Sequence, residues 1–157
     1  MKIIVLGMDN TGKTTLCRQL SKELRMIHLV SDGPKITEEE MRYNLNTLLS
    51  IDEFLQERCC FFEEMVYGKI LRNHSNFSFR EKDIIKKLQD VIIVYCRPHK
   101  KVIENWGERE QMTGVITKAD ELIKRWDKVI NKARLHGIKV IKYDYTKETV
   151  FDVIAKL

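Results

Sequence analysis

Lys2-Ile3-Ile4-Val5-Leu6-Gly7-Met8-Asp9-Asn10-Thr11-Gly12-Lys13-Thr14-Thr15 is the stretch that decides the fold. It opens on an apolar, β-branched run that ends at Gly7, the composition of a strand buried on both faces of a parallel sheet. From Gly12 to about Arg25 the apolar residues Leu16, Leu20 and Leu24 recur every four positions, which predicts a helix starting at the end of the glycine loop. Residues 7–14 fit GxxxxGK[ST] in the context that pattern needs, a strand before it and a helix after it. In that context the glycines let successive backbone N–H groups face one concavity, and the helix N-terminus adds partial positive charge. Lys13 is then placed for terminal phosphates and the Thr14 hydroxyl for magnesium. Asn10, Thr11, Gly12, Lys13, Thr14 and Thr15 are therefore expected to hold ATP with Mg2+, and Lys13 to take part in catalysis.

Outward from the loop, residues 26–30 read as a second strand closed by the turn residues Ser31-Asp32-Gly33-Pro34. Thr37 with Glu40 three positions later is a capping box that opens a helix to about Leu49. Residues 51–57 predict a third strand and 59–72 a helix, on the apolar stripes Phe62, Val66, Leu71 and Phe61, Met65, Ile70. A surface loop at 74–80, a basic helix at 81–90, strands at 91–96 and 138–144 and a last helix from about Glu148 complete the pattern. Strands alternating with helices predict an α/β, three-layer P-loop NTPase fold, a five-stranded parallel sheet flanked by helices with right-handed crossovers.

Bulk properties narrow the classes. A chain of 157 residues can bury one core and is short for two ordinary domains, so a single domain over 1–157 is expected. With 43% hydrophobic and 32% charged residues and only two prolines, the chain groups with globular rather than disordered proteins. Its longest apolar run, 91–96, is far too short to span a membrane, and residues 3–6 meet the glycine loop instead of a signal-cleavage site. Cys17, Cys59, Cys60 and Cys96 contain no CxxC pair, and adjacent Cys59 and Cys60 cannot bridge without strain, so reduced thiols and a cytoplasmic location are expected. The net charge of +5 suits a phosphate-rich partner without choosing among mononucleotides, nucleic acids and acidic surfaces. Lys86-Lys87 with His99-Lys100-Lys101 lacks interleaved aromatics and reads as a solvated face. His28, His74, His99 and His136 show no metal-ligand spacing, and Trp106 and Trp126 read as packing.

Thr117-Lys118-Ala119-Asp120 fits the [NT]KxD guanine signature, which works at the end of a strand. Here Val115, Ala119, Leu122, Trp126, Val129 and Ala133 step by three or four, so the segment is expected to be a helix with Thr117, Lys118 and Asp120 on its wet face. Outside the phosphate loop there is also no DxxG, so the sequence argues against a GTPase.

Over 7–15 and 57–68 the sequence resembles the thymidylate kinase-like nucleotide kinases, including the short forms of large phages. Residues 7–15 resemble that family's GxDxxGK[ST]T, and Glu57-Arg58 followed by Glu64, Val66, Tyr67 and Gly68 resembles its DR motif and SE-x-VYG helix, with Glu57 in place of Asp and Glu63 where Ser is common. The resemblance implies that Asp9 faces the acceptor sugar, that Arg58 binds the acceptor phosphate, and that Glu57 orients magnesium or the attacking group. Arg97-Pro98 and residues 109–115 resemble the family's last strand and lid, which implies a short lid around 99–114 with Arg97 and Arg109 clamping the transferring group. Residues 144–147, with Tyr145, fall where such kinases wrap the adenine, and a homodimer is the implied assembly.

Residue chemistry supports part of this independently. Phosphoryl transfer is catalysed by positioning and by cations, and Arg58 and Arg97 follow candidate strands, at the carboxyl edge where open α/β sheets bind ligands. Phe61, Phe62 and Tyr67 could stack on an acceptor base, although aromatics at helical spacing more often form core. The expected activity is transfer of the γ-phosphate of ATP to a small-molecule acceptor, a deoxynucleoside monophosphate with thymidylate or a related pyrimidine nucleotide first. A deoxynucleoside kinase, a kinase of a hydroxylated base in DNA and an ATP-gated protein that binds nucleic acid or a partner remain as alternatives.

Overall fold

The computed structural model describes residues 1–31, 37–73, 81–105 and 113–157. The expected loop at 74–80, the turn residues 32–34, His74, Trp106 and Arg109 lie outside them. Five strands, β1 (Lys2–Leu6), β2 (His28–Val30), β3 (Phe54–Glu57), β4 (Val91–Cys96) and β5 (Lys139–Tyr143), form one parallel sheet in the order β2-β3-β1-β4-β5. The register sets Val5 beside Glu57 on one side and Val94 on the other, so β1 is central and its carboxyl end, where the glycine loop begins, is flanked by the ends of β3 and β4.

Alternation along the strands builds a core on each face. Ile3, Val5, Leu55, Val94 and Ile141 pack on α1 (Lys13–Leu24), through Leu16, Cys17 and Leu20, and on α8 (Val150–Ile154). Ile4, Leu6, Phe54, Ile93 and Tyr95 face α2 (Glu38–Leu49), α5 (Glu81–Lys87) and α7 (Ala119–Leu135). Residues 3–6 are wholly inaccessible, and burial of each such side chain stabilises the fold by roughly 1.5–3 kcal/mol. The three-layer α/β architecture read from the sequence is the one observed.

Local signals placed several ends correctly. The Thr37–Glu40 capping box is formed in both directions, Glu40 N donating to Thr37 Oγ1 at 3.2 Å and Thr37 N to Glu40 Oε2 at 3.3 Å. A second box, Thr149 with Asp152, starts α8 two residues later than expected. The predicted helix at 59–72 is three pieces: α3 (Cys60–Glu63), a π-helical turn (Glu64–Gly68) and α4 (Lys69–Leu71). Glu64 pairs with Arg72 across Gly68, where a Cβ would collide with the Glu64 carboxylate, and Arg125 Nε donates to Met65 O at 2.9 Å. Such turns recur at functional sites.

Residues 113–118 correct the reading of the [NT]KxD segment. They form turns after Gly114 (φ 85°), and α7 begins only at Ala119. Lys118 is not simply in solvent, since its Nζ donates to Ile70 O at 2.8 Å, while Asp120 pairs with Lys100 at 2.5 Å. Among the described residues the tetrapeptide follows turns at 113–116 rather than a strand, as the rejection of the guanine signature requires. A short helix absent from the sequence reading, α6 (Lys100–Ile103), follows β4. Among the described residues no helix is long and apolar enough to cross a membrane.

Candidate active site

The loop between β1 and α1 is shaped by close backbone approach. Gly7 has φ 144°, and a Cβ there would lie 2.5 Å from the Cys96 carbonyl oxygen. Gly12, at φ 84°, is the N-cap of α1; no side chain caps that end and no acid stands in its first turn, so its N–H groups are available to an anion. A Cβ on Gly12 would come within 3.0 Å of the Tyr145 ring, which is thereby placed beside the helix start. The turn that carries Tyr145 is pinned by Asp144 Oδ1, which accepts from Thr146 N at 3.0 Å and Thr146 Oγ1 at 2.7 Å.

Lys13 is only 5% exposed; its Nζ donates to Met8 O at 2.5 Å and stands 3.7 Å from Asp9 Oδ1. Burial lowers its pKa, Asp9 opposes that shift and Arg58 adds to it. Thr14 Oγ1 donates to Glu57 Oε1 at 2.5 Å, and Glu57, 4% exposed at the end of β3, holds His28 Nε2 at 3.0 Å through its other oxygen. Two adjoining hard oxygen donors beside a phosphate-shaped loop fit magnesium, whose remaining shell comes from water and phosphates.

Arg58 sits in the left-handed region, φ 68°, fixed by its N–H donating to Val5 O at 3.0 Å. A non-glycine residue there costs about 1 kcal/mol or more and persists only where surrounding contacts impose it. The twist turns the side chain to the loop, Nη2 donating to Asp9 Oδ1 at 3.0 Å and Nη1 lying 3.8 Å from Glu63 Oε1. Burial raises the Glu63 pKa against the pull of Arg58 and Lys13. Arg58 also borders an apolar cavity of about 240 Å³ between α2 and the ends of β2 and β3, whose walls include Leu29, Val30, Leu48, Gln56 and Phe61.

No protein-family model matches this sequence, and no curated protein matches it by sequence. Solved structures match by shape. The YorR protein of Bacillus subtilis, in a structure described as a complex with phosphorylated GDP, is 22% identical with TM-score 0.81, covering 99% of this chain and 94% of that one. The deoxyadenosine kinase of M. mycoides, with products dCMP and dCDP bound, is 15% identical with TM-score 0.62, covering 99% and 95%. The same kinase with dCTP bound is 16% identical with TM-score 0.61, covering 99% and 97%. The chain shares with these structures an α/β fold in which helices flank a five-stranded parallel sheet.

Within that fold, the described residues bring Asp9, Lys13, Thr14, Glu57 and Arg58 together at the loop, with Tyr145 beside it. Thr11 Oγ1 is used internally, donating to Met8 O at 2.6 Å, and Thr15 is exposed in the first turn of α1. Asn10, at φ 62°, uses its side-chain amide to tie the loop to the end of α6, Nδ2 donating to Val102 O, Ile103 O and Asn105 O at 3.0, 3.2 and 2.9 Å.

The other described candidates are held by side-chain partners or by packing. The Arg97 guanidinium is held by Asp127 of α7, Nε to Oδ1 at 3.0 Å and Nη2 to Oδ2 at 3.1 Å, with Nη1 on Pro98 O. Phe62 is wholly buried in the core, whereas Phe61, also buried, forms part of the wall of the cavity beside Arg58. Tyr67 is buried edge-on to Trp126, ring centroids 6.1 Å apart. Helical spacing signalled packing at these aromatics. Glu63, which the sequence reading noted only as a departure from Ser, belongs to the site; an acid five residues after Arg58, one helical turn into α3, was the available signal.

Proposed function

We propose that this chain transfers the γ-phosphoryl group of ATP to a small nucleotide or nucleoside, with a deoxynucleoside monophosphate of the thymidylate type as the first acceptor, giving ADP and the deoxynucleoside diphosphate. The observation that carries the reading is Arg58, whose guanidinium reaches Asp9 of the phosphate loop while the same residue borders the apolar cavity. Its position suits a group that spans donor and acceptor. The loop N–H groups and Lys13 would hold the triphosphate, and Tyr145 would flank the donor base. The cavity walls would take the acceptor's apolar ring, and Arg58 its phosphate, through the planar fork that suits bidentate recognition. Thr14 and Glu57 would hold magnesium, which when bound neutralises charge on the β- and γ-phosphates. In the transfer an oxygen of the acceptor's phosphate bonds to the γ-phosphorus while the bond from that phosphorus to the β,γ-bridging oxygen breaks and the bridging oxygen leaves with ADP; a nucleoside would attack through its hydroxyl, whose proton passes to a carboxylate or water. Asp9 would face the acceptor's sugar.

A nucleoside acceptor is the second reading, favoured by the fact that Arg58 already balances two carboxylates, Asp9 and Glu63. The likeness to a deoxyadenosine kinase supports it, as the YorR complex with phosphorylated GDP supports nucleotide binding in general. The test is to incubate the protein with ATP, Mg2+ and a panel of nucleosides, nucleoside monophosphates and hydroxylated-base DNA, following ADP. ADP formation that requires one class of acceptor supports transfer and identifies the acceptor class. ADP formed at one rate whatever is added would contradict it.

A further inference from the structure

Cys17, His28 and Glu57 come from three different elements, α1, β2 and the end of β3. Their donor atoms, a thiol sulfur, an imidazole nitrogen and a carboxylate oxygen, all lie within 4.8 Å of one another. His28 Nε2 and Glu57 Oε2 are 3.0 Å apart, while Glu57 Oε1 faces Thr14. Bonds of about 2.0–2.3 Å to a tetrahedral ion leave neighbouring ligand atoms roughly 3.3–3.6 Å apart, so the nitrogen and oxygen already stand at nearly the right separation. The sulfur, within 4.8 Å of both, would have to close by about an ångström. Cys17 and Glu57 are buried, and the His28 side chain, 17% exposed, offers the way in from solvent.

We infer that Cys17, His28 and Glu57 form a binding site for a zinc-class divalent ion, next to the hard-oxygen magnesium position at Thr14 and sharing Glu57 with it. The donor set selects the ion. Sulfur and imidazole suit Zn2+ or Co2+, whereas magnesium prefers an all-oxygen shell. Three protein ligands leave a fourth position for water. On binding, the Cys17 thiol gives its proton to solvent and becomes the thiolate ligand, His28 coordinates through Nε2 with its proton on Nδ1, and Thr14 keeps its hydrogen bond to Glu57 Oε1. Burial pushes the Cys17 thiol up, so the site should prefer ions that bind thiolate strongly enough to offset that cost.

Titrating the metal-free full chain with Co2+ in a thiol-free reductant tests this without any use of activity, so its failure is distinct from failure of the kinase reading. The expected result is one equivalent bound, visible bands of tetrahedral strength, a near-ultraviolet thiolate-to-cobalt band and displacement by Zn2+. Cys17→Ser should lose the thiolate band, and His28→Gln should bind at least tenfold more weakly. Cys60→Ser should behave as wild type, and circular dichroism would establish that each variant is folded. As a second measurement, Zn2+ should raise the melting temperature of wild type but not of His28→Gln. Absence of a thiolate band in wild type, or its survival in folded Cys17→Ser, would overturn the assignment.

Discussion

The ends of β3 and β4 flank the phosphate loop from opposite sides, and each carries an arginine directly after the strand, Arg58 and Arg97. By position in the sheet they are equivalent; by contact they are not. Arg58 is forced into a left-handed backbone and directs its fork at Asp9 in the loop. Arg97 continues along its strand, its N–H donating to Tyr143 O at 2.8 Å, and gives its Nε and Nη2 to Asp127, which also accepts from Tyr95 Oη at 2.9 Å, while Nη1 donates to Pro98 O. A strand's carboxyl edge brings a residue near the ligand side of the sheet, and local backbone and partner then decide whether its charge serves a ligand or the fold. On the proposed function Arg58 would be the site arginine, while the contacts of Arg97 make it a clip between β4 and α7.

The contrast can be broken by mutation. Arg58→Ala should lower kcat/KM for the acceptor by about 3 kcal/mol or more, with ATP affinity little changed, and Arg58→Lys should recover little because lysine lacks the fork. Equal losses at Arg58 and Arg97 in steady-state kinetics would erase the distinction. Arg97→Ala should change kcat/KM by less than about 1 kcal/mol yet reduce stability in urea by about 1 kcal/mol, since Asp127 and the Tyr95 hydroxyl lose a shared partner. At position 58 itself, glycine should be more stable than alanine by roughly 1 kcal/mol, because only glycine adopts φ 68° without strain. Matching urea midpoints for Arg58→Gly and Arg58→Ala would show that the left-handed backbone is not imposed there.

The smallest effect belongs to Glu63 beside Arg58. Burial raises its folded pKa above the unfolded value, so the folded state binds the extra proton and stability falls as pH rises through that interval. Glu63→Gln should flatten this fall and be the more stable protein at neutral pH. An unchanged stability–pH curve would mean that Glu63 is better solvated than its surroundings imply.

What could be read from sequence was local. The β1–loop–α1 unit and the Thr37 capping box are fixed by neighbours within a few residues, and β4 by its own apolar run. What could not be read depends on contacts distant in the chain. Asn10 serves carbonyls more than ninety residues away, Arg97 finds Asp127 thirty residues on, and Cys17, His28 and Glu57 meet only through the sheet order. The start of α7 was misplaced because apolar stepping continues through residues 113–118 while Gly114 turns the chain. The π-helical turn escaped notice because its cause is tertiary, with Arg125 drawing on the Met65 carbonyl and Glu64 closing over Gly68.

The central claim is that the Lys13 loop and the Arg58 side chain deliver a phosphoryl group to an acceptor rather than to water. Phosphorus NMR of ATP, Mg2+ and the acceptor found in the panel should show phosphorylated acceptor appearing in step with ADP in wild type. Lys13→Ala, folded by circular dichroism, should show neither product, because on this reading the lysine would serve the phosphates at the loop. ADP accumulating with inorganic phosphate and no phosphorylated acceptor, or full transfer by Lys13→Ala, would contradict the account.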